Sequence, residues 1–230
     1  MAQSDWAAMS NGLSSANVAH TVTQGTTPPS GGGSFVYAFH SLQATEGAVG
    51  LTVDDGGVDF SPMASGCRVS GALQRNGTEN DTVMLVGALD SNDVQGEGYI
   101  IGLTHDEEPS HLVVVKGSPV DGLEEAASGL LMKSTQTFAK GTWVHVQMDV
   151  IVQPNGDVLI QVFANDLSAN DVTSPVWAAI DGMSDFIDDA VGINSGSLPY
   201  NSGGYVGYAY FTKAVGRYGF VDHVKVARQL

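Results

Sequence analysis

The chain has 230 residues, of which 43% are hydrophobic, so it can bury a full core, and all-β sandwiches of this length are commonly one domain. Only 15% of the residues are charged and 29 are glycine, a balance that favours short strands and tight turns over helices. Nine basic against 25 acidic residues give a formal charge of −16, which disfavours nucleic acid and anionic membranes as partners.

The first 33 residues are predicted to form a docking arm. Residues Ser4 to Val18 fit an amphipathic helix with Trp6, Met9 and Leu13 on one apolar stripe that would dock onto a partner. The segment Thr21 to Ser34 is rich in Thr, Pro and Gly and predicts an extended linker. We therefore predict an arm and linker over 1–33 and a globular domain over 34–230.

Alternating apolar runs bounded by turn residues recur from Phe35 onward and predict about a dozen strands. The predicted strands outside the hairpin described next are Phe35 to Leu42, Ala48 to Val53, Arg68 to Gln74, Thr82 to Leu89, Tyr99 to Leu103, His111 to Lys116, Leu130 to Ser134, Val176 to Ile180, Tyr205 to Phe211 and Arg217 to Val226. One short helical turn is expected near Asp181 to Asp189. So many strands predict a two-sheet sandwich, because a single sheet would leave an apolar face uncovered.

The clearest local signal is the hairpin from Trp143 to Asp166, where two alternating runs flank Pro154-Asn155-Gly156. Side chains alternate across a strand, so the valines and methionine of the first run share a face that we predict to be core. The opposite face is polar and is predicted to be largely solvated; it carries His145, Gln147, Asp149 and Gln153.

No catalytic pattern accompanies these strands. A glycoside hydrolase needs two carboxylates on one strand face, whereas the adjacent pairs Glu107-Glu108 and Glu124-Glu125 would point to opposite faces. His105 and His111 lack the tight spacing of a metal site, and Cys67 is the lone cysteine, which predicts a buried thiol. Neither a nucleophile elbow nor a phosphate-binding glycine loop occurs. We therefore expect a protein that is not an enzyme.

Two groups of residues are candidates for ligand binding. Tyr200, Tyr205 and Tyr208, with neighbouring glycines, would suit an aromatic platform for sugar rings; the alternative is core packing, since alternation puts Tyr205 opposite Tyr208. Asp54-Asp55 and Asn165-Asp166 offer oxygen ligands for calcium, although no twelve-residue calcium loop is present. No cofactor is predicted, and calcium is the one candidate cation.

The order of features after Tyr99 resembles the concanavalin A-like lectin/glucanase sandwich, the LamG-type jelly roll. A Trp-initiated strand, an Asn-Gly hairpin, a Gly-rich aromatic strand and a terminal strand with an Asp before alternating valines carry the likeness. These segments are Gly141 to Val146, Pro154 to Asp157, Gly204 to Ala209 and Arg217 to Val226. The resemblance covers roughly half of the chain and implies an all-β, antiparallel two-sheet jelly roll.

The N-terminal segment adds a second likeness. The pattern of a Trp-bearing arm, a Pro-Gly linker and then a jelly roll in a chain without a signal-peptide pattern resembles structural proteins of tailed-bacteriophage virions. The leading hypothesis is a non-enzymatic component of a phage head, neck or tail, made in the bacterial cytoplasm. It would bind other virion proteins and assemble as a homo-oligomer. The alternative is a lectin-like module that binds a surface glycan for host attachment.

Overall fold

A computed structural model of the protein describes residues 6–23, 26–53, 66–77, 80–124, 129–191, 198–201 and 204–228. These residues form strands and turns with no α-helix, and a single 3-10 turn lies at Pro119–Asp121. Nothing helical in these ranges is long and apolar enough to cross a membrane. The strands are β1 Trp6–Ala8, β2 Val18–Thr23, β3 Val36–Ser41, β4 Gly47–Val53, β5 Gly66–Arg75, β6 Asp81–Leu89, β7 Gly98–Leu103, β8 Ser110–Gly117, β9 Leu130–Phe138, β10 Val144–Val152, β11 Val158–Asn165, β12 Trp177–Ala179, β13 Phe186–Asp188, β14 Tyr205–Thr212 and β15 Tyr218–Arg228.

The strands form two antiparallel sheets, as predicted. The first sheet has the order β1-β4-β14-β6-β7-β8-β9, and the second has the order β12-β11-β10-β5-β15-β3-β2, with β13 also paired to β11. Their inner faces share one core, in which Leu85 and Ile101 of the first sheet pack with Val146 and Met148 of the second. Each sheet thereby covers the apolar face of the other.

The outer face of the first sheet carries a second apolar core. Strand β6 carries apolar side chains on both of its faces. Leu85 points into the sandwich, while Met84 and Val86 point outward. Ile100 lies in this outer core, which the loop residue Leu123 helps to cover. Both faces of β6 and β7 are therefore buried.

The predicted hairpin is confirmed. Strands β10 and β11 pair up to Val152 and Val158, and the N–H of Gly156 donates to the carbonyl of Gln153 at 2.9 Å. Gly156 has φ 93°, a conformation that glycine adopts without strain. The prediction that the polar face of the first strand is solvated, however, is wrong for most of that strand. His145, Gln147 and Asp149 are only 2%, 5% and 3% exposed.

The N-terminal helix is also wrong. Strand β1 pairs with β4 at the edge of the first sheet, and β2 pairs with β3 at the edge of the second. Backbone bonds continue the docking beyond β1, with Met9 N–H donating to Gly50 O at 3.0 Å and Leu13 N–H donating to Ala48 O at 2.8 Å. Pairing at open sheet edges satisfies this backbone, so the local helical spacing did not decide its structure.

Residues assigned to the linker are bonded to the rest of the domain. Thr21 lies in β2, and the indole N–H of Trp143 donates to Thr27 O at 2.8 Å. The N–H of Val172 donates to Ser30 O at 2.9 Å. Near Asp181 to Asp189, where a helical turn was expected, β13 extends the second sheet through its pairing with β11. The described N-terminal residues thus contribute a strand to each sheet.

Candidate functional site

A pocket of about 200 Å³ lies on the outer face of the second sheet. We call it the Trp177 pocket; the lining residues used below are Arg68, Ser70, His145, Gln147, Trp177 and Lys225. They come from four strands of one sheet, so a rigid hydrogen-bonded frame holds them in place. Sites on such frames keep more precise geometry than sites on loops.

Strand register sets the order of the polar groups across the pocket. Gln147 of β10 lies opposite Ser70 of β5, and Ser70 lies opposite Lys225 of β15. Two residues before Gln147 on β10, His145 lies opposite Asn165 of β11, which in turn lies opposite Trp177 of β12. The pocket therefore has a row of hydrogen-bonding side chains with an aromatic ring at one end.

Asn165 fixes one wall of the pocket and the orientation of His145. Its side-chain oxygen accepts the N–H of Val176 at 3.0 Å, and its amide nitrogen donates to Asp171 O and to Nδ1 of His145, both at 3.1 Å. Because Nδ1 accepts, the neutral imidazole carries its proton on Nε2. Trp177 packs against this ring with 4.7 Å between the ring centroids.

Burial keeps His145 neutral at physiological pH. Loss of solvation lowers the pKa of His145 to about 4, and the positive charges of His223 and Lys225 act in the same direction. The ring therefore presents an Nε2–H donor to the pocket. A neutral donor of this kind suits a hydroxyl or carbonyl oxygen of a ligand.

Two further polar groups in the pocket have no hydrogen-bond partner in the part of the chain that the structure describes. Ser70 and Gln147 are each 5% exposed, and the hydroxyl of Ser70 and the side-chain amide of Gln147 make no hydrogen bond to another described residue. Neither residue has a polar atom among those that are both sealed from solvent and without a partner, so these groups reach the cavity and can bond to water or to a ligand that enters it.

The charged groups of the pocket are basic. Arg68 makes two bonds to the buried carboxylate of Asp149, Nε to Oδ1 at 2.7 Å and Nη2 to Oδ2 at 2.5 Å. Lys225 is exposed and pairs with no described carboxylate. The described lining contains these two of the nine basic residues and none of the 25 acidic ones. In a chain of net charge −16, this is a local reversal of sign.

The tyrosines predicted to form one platform lie in separate places. Tyr208 is 5% exposed and belongs to the inner core, whereas Tyr205 is 39% exposed at the start of β14. Tyr200 is half-buried elsewhere, edge-on to Tyr99 with ring centroids 5.7 Å apart. The nitrogen Nζ of Lys116 lies 5.2 Å from the centroid of the Tyr200 ring. The structure therefore does not bring the three tyrosines together on one surface.

The residues predicted to dock onto a partner pack within the domain. Trp6 lies edge-on to Tyr208 with ring centroids 5.0 Å apart, and Met9 is 6% exposed in the outer core of the first sheet. Leu13 packs against the inner core. They do not form the exposed helical stripe that the sequence predicted, because β1 and the turn after it follow the sheet edge.

Residues considered for metal binding serve the local structure. Nδ1 of His105 accepts the N–H of Leu123 at 3.0 Å, and the side chain of Asp166 accepts the N–H and hydroxyl of Ser168. Asp54-Asp55 lie outside the described residues. In the described ranges, no three His, Cys, Asp or Glu side chains converge as metal ligands would. Cys67 is confirmed as a buried thiol, with its pKa raised by burial to about 12.

Comparison with known proteins places this geometry on a known fold. No family model and no curated protein matches the chain. The exoplasmic/lumenal domain of VIP36, in its Ca²⁺/Man3GlcNAc-bound form, matches with TM-score 0.52 and 11% identity over 99% of this chain and 90% of that chain. The metal-free Emp46p carbohydrate recognition domain matches with TM-score 0.51 and 10% identity over 99% of this chain and 89% of that chain. A Bacillus subtilis protein of unknown function with a galectin-like fold matches with TM-score 0.50 and 10% identity over 98% of this chain and 90% of that chain.

The chain has a lectin-like jelly-roll fold. The resemblance inferred from the hairpin and the terminal strands is thus confirmed for the fold. Identities of 10–11% carry no residue-level correspondence, so the site depends on this chain's own geometry. The association with phage virions stays a prediction.

Sequence reasoning assigned none of the six named pocket residues to a site, although it placed His145 and Gln147 together on one polar face. The alternation of Arg68 and Ser70 in β5 was a usable signal, since it marks a polar outer face like that of β10. Trp177 could not have been assigned in this way, because it reaches His145 through the pairing of β12 to β11. Lys225 reaches the pocket through an irregularity in β15, described below.

Proposed function

We propose that the protein binds carbohydrate in the Trp177 pocket. The observation that carries the proposal is a row of polar groups that border the cavity beside the Trp177 ring: the Nε2–H of His145, the side-chain amide of Gln147 and the hydroxyl of Ser70. Sugars present hydroxyls that donate and accept hydrogen bonds and C–H faces that pack on aromatic rings, so this composition is complementary to them. The lectin-like fold of the chain supports the same class of ligand.

The pocket favours binding over hydrolysis. Glycoside hydrolysis needs a pair of carboxyl groups about 5–9.5 Å apart across the scissile bond. The described lining of the pocket contains no carboxylate. Asp149, the nearest acid on β10, is bound to Arg68 through both oxygens. The proposed role is therefore recognition without turnover.

Calcium is not part of the proposal. VIP36 is named in a calcium- and glycan-bound form, and Emp46p in a metal-free form. In this chain the Trp177 pocket has neutral and basic groups and no carboxylate in its described lining. Its hydrogen-bonding row would bind a sugar directly, so we expect binding to persist in a chelator.

The test is a glycan array followed by titration calorimetry on the glycans that bind. We expect Trp177→Ala to weaken binding by at least about tenfold, since a ring contact is worth about 1–2 kcal/mol. Ser70→Ala removes an unpaired hydroxyl and should weaken binding without lowering the melting temperature. Tyr205→Ala is the matched aromatic control, because Tyr205 is exposed outside the pocket.

Two results would overturn the proposal. One is an array on which the folded protein retains no glycan. The other is a loss of binding in Tyr205→Ala with normal binding in Trp177→Ala, which would move the site to the other aromatic surface. Glycan binding measured in EDTA separates direct recognition of the sugar from recognition through a bound cation.

A structural role in a phage virion, with docking through Trp6, Met9 and Leu13, stays a prediction. Deletion of residues 1–20 would remove β1 and the start of β2 as well as the predicted docking residues. That deletion would therefore test the stability of both sheet edges together with assembly. Binding by the Trp177 pocket is compatible with either location of the protein.

A further inference from the structure

A second cavity adjoins the Trp177 pocket. It has a volume of about 420 Å³ and is lined by side chains that include Trp6, Tyr37, Tyr208, Asp222 and Lys225. We call it the aromatic groove. Three aromatic rings meet there, with 5.0 Å between the centroids of Trp6 and Tyr208 and 5.6 Å between those of Tyr37 and Tyr208. Lys225 lines both cavities and thus stands where they meet.

A β-bulge in β15 puts Lys225 in this position. Asp222 lies opposite Ala72 and Lys225 lies opposite Ser70, so three steps along β15 match two steps along β5. Without the extra residue, alternation would point Asp222 and Val224 to one face and Lys225 to the other. The bulge brings Lys225 to the outer face and turns Val224 toward the inner core.

The bulge has a cost in backbone conformation. His223 has φ 50°, which is uncommon for a residue with a side chain. Strain of this kind persists where the surrounding structure holds it, and it is often found at binding sites. Here its result is specific, because it places an ammonium group that has no carboxylate partner among the described residues between two cavities on a strongly acidic protein.

Few negative charges of the described residues oppose Lys225. The carboxylate of Asp149 is neutralised by Arg68, and Asp222 is half-buried with its Oδ2 atom unpaired. Loss of solvation raises the pKa of Asp222 above its ordinary value. Arg68 and Lys225 both border the Trp177 pocket. The junction of the two cavities is therefore suited to an anionic group.

We infer that the ligand is an acidic oligosaccharide that spans both cavities, with its carboxylate or sulfate bound by Lys225 and adjacent rings held by Trp177 and by the aromatic groove. This inference rests on the proposed carbohydrate binding and names the class of sugar. A charge-assisted hydrogen bond is worth about 1.5–3 kcal/mol, so the acidic group supplies about a tenfold or larger preference over the neutral parent.

The test uses an array that displays uronic acid, sialic acid and sulfated oligosaccharides beside their neutral parents. We expect the full chain to retain acidic members and Lys225→Gln to lose about tenfold or more of that affinity. Binding should also weaken as NaCl rises from 50 to 500 mM. Lys140→Gln is the matched control, because it removes one exposed ammonium group outside both cavities. Melting curves confirm that both variants are folded.

The outcomes separate this inference from the proposed function. Retention of neutral glycans only, or equal binding of acidic glycans by wild type and Lys225→Gln, overturns the acidic class and leaves carbohydrate binding standing. Retention of no glycan overturns both. Equal losses in Lys225→Gln and Lys140→Gln would show general attraction to charge in place of a site at the bulge.

Discussion

The outer faces of the two sheets both contain buried side chains, but these are of opposite kinds. On the first sheet, Met84 and Val86 of β6 pack in an apolar core closed by Leu123 and its neighbours. On the second sheet, His145 and Gln147 of β10 are equally inaccessible but border a cavity. One buried face is filled, while the other holds unpaired polar groups beside unfilled space.

This difference favours the outer face of the second sheet as the proposed binding face. A filled apolar face gains from the hydrophobic effect and from close contacts. A polar face that borders a cavity forgoes part of this packing, a common property of binding sites in natural proteins. The first sheet therefore acts as the frame, and the second sheet carries the proposed site.

The largest expected effect is on the apolar outer face. Ile100→Ala empties part of the outer core of the first sheet and should lower the free energy of unfolding by about 2–5 kcal/mol, measured by urea denaturation. The matched control is Ile151→Ala, because Ile151 is half-buried on the outer face of the second sheet. We expect the control to cost about 1 kcal/mol. Equal costs at the two positions would contradict the contrast between the faces.

A smaller effect concerns the pH dependence of stability. The pKa of His145 is lowered from its ordinary 6.5 to about 4, so the folded protein binds this proton more weakly than the unfolded chain. The contribution to stability is complete above pH 6.5 and is lost as pH falls toward 4. Between pH 7.5 and 5, wild type should lose about 2 kcal/mol more than His145→Gln. If the free energy of unfolding falls equally in the two proteins between pH 7.5 and 5, His145 is not held neutral in the folded state.

The sequence predicted the apolar half of this comparison better than the polar half. Apolar runs bounded by turn residues located β6 and β7, and alternation located the β10–β11 hairpin. Alternation also separated His145 from Val146 correctly. It could not show that the His145 face is covered, since the covering residue Trp177 arrives from another strand.

The same limit explains the N-terminal error. Trp6, Met9 and Leu13 are spaced as on a helix, but open edges of distant strands offered their backbone a better set of hydrogen bonds. Likewise, pairing with β5 sets the bulge at His223. The face on which Lys225 lies therefore cannot be predicted from the sequence of β15 alone. Long-range pairing, which no local window contains, decided each of these cases.

The smallest expected change in stability comes from the pocket itself. Gln147→Met keeps the length of a buried side chain and removes an amide without a described partner, so stability should be unchanged or higher within about 1 kcal/mol. The control is Gln74→Met on the same outer face, where the amide donates to Gly141 O at 2.8 Å and accepts from Thr26 at 2.9 Å. That control should lose about 1–3 kcal/mol. Glycan affinity should fall about tenfold in Gln147→Met and stay normal in Gln74→Met, because the Gln74 amide serves the fold and the Gln147 amide serves the ligand.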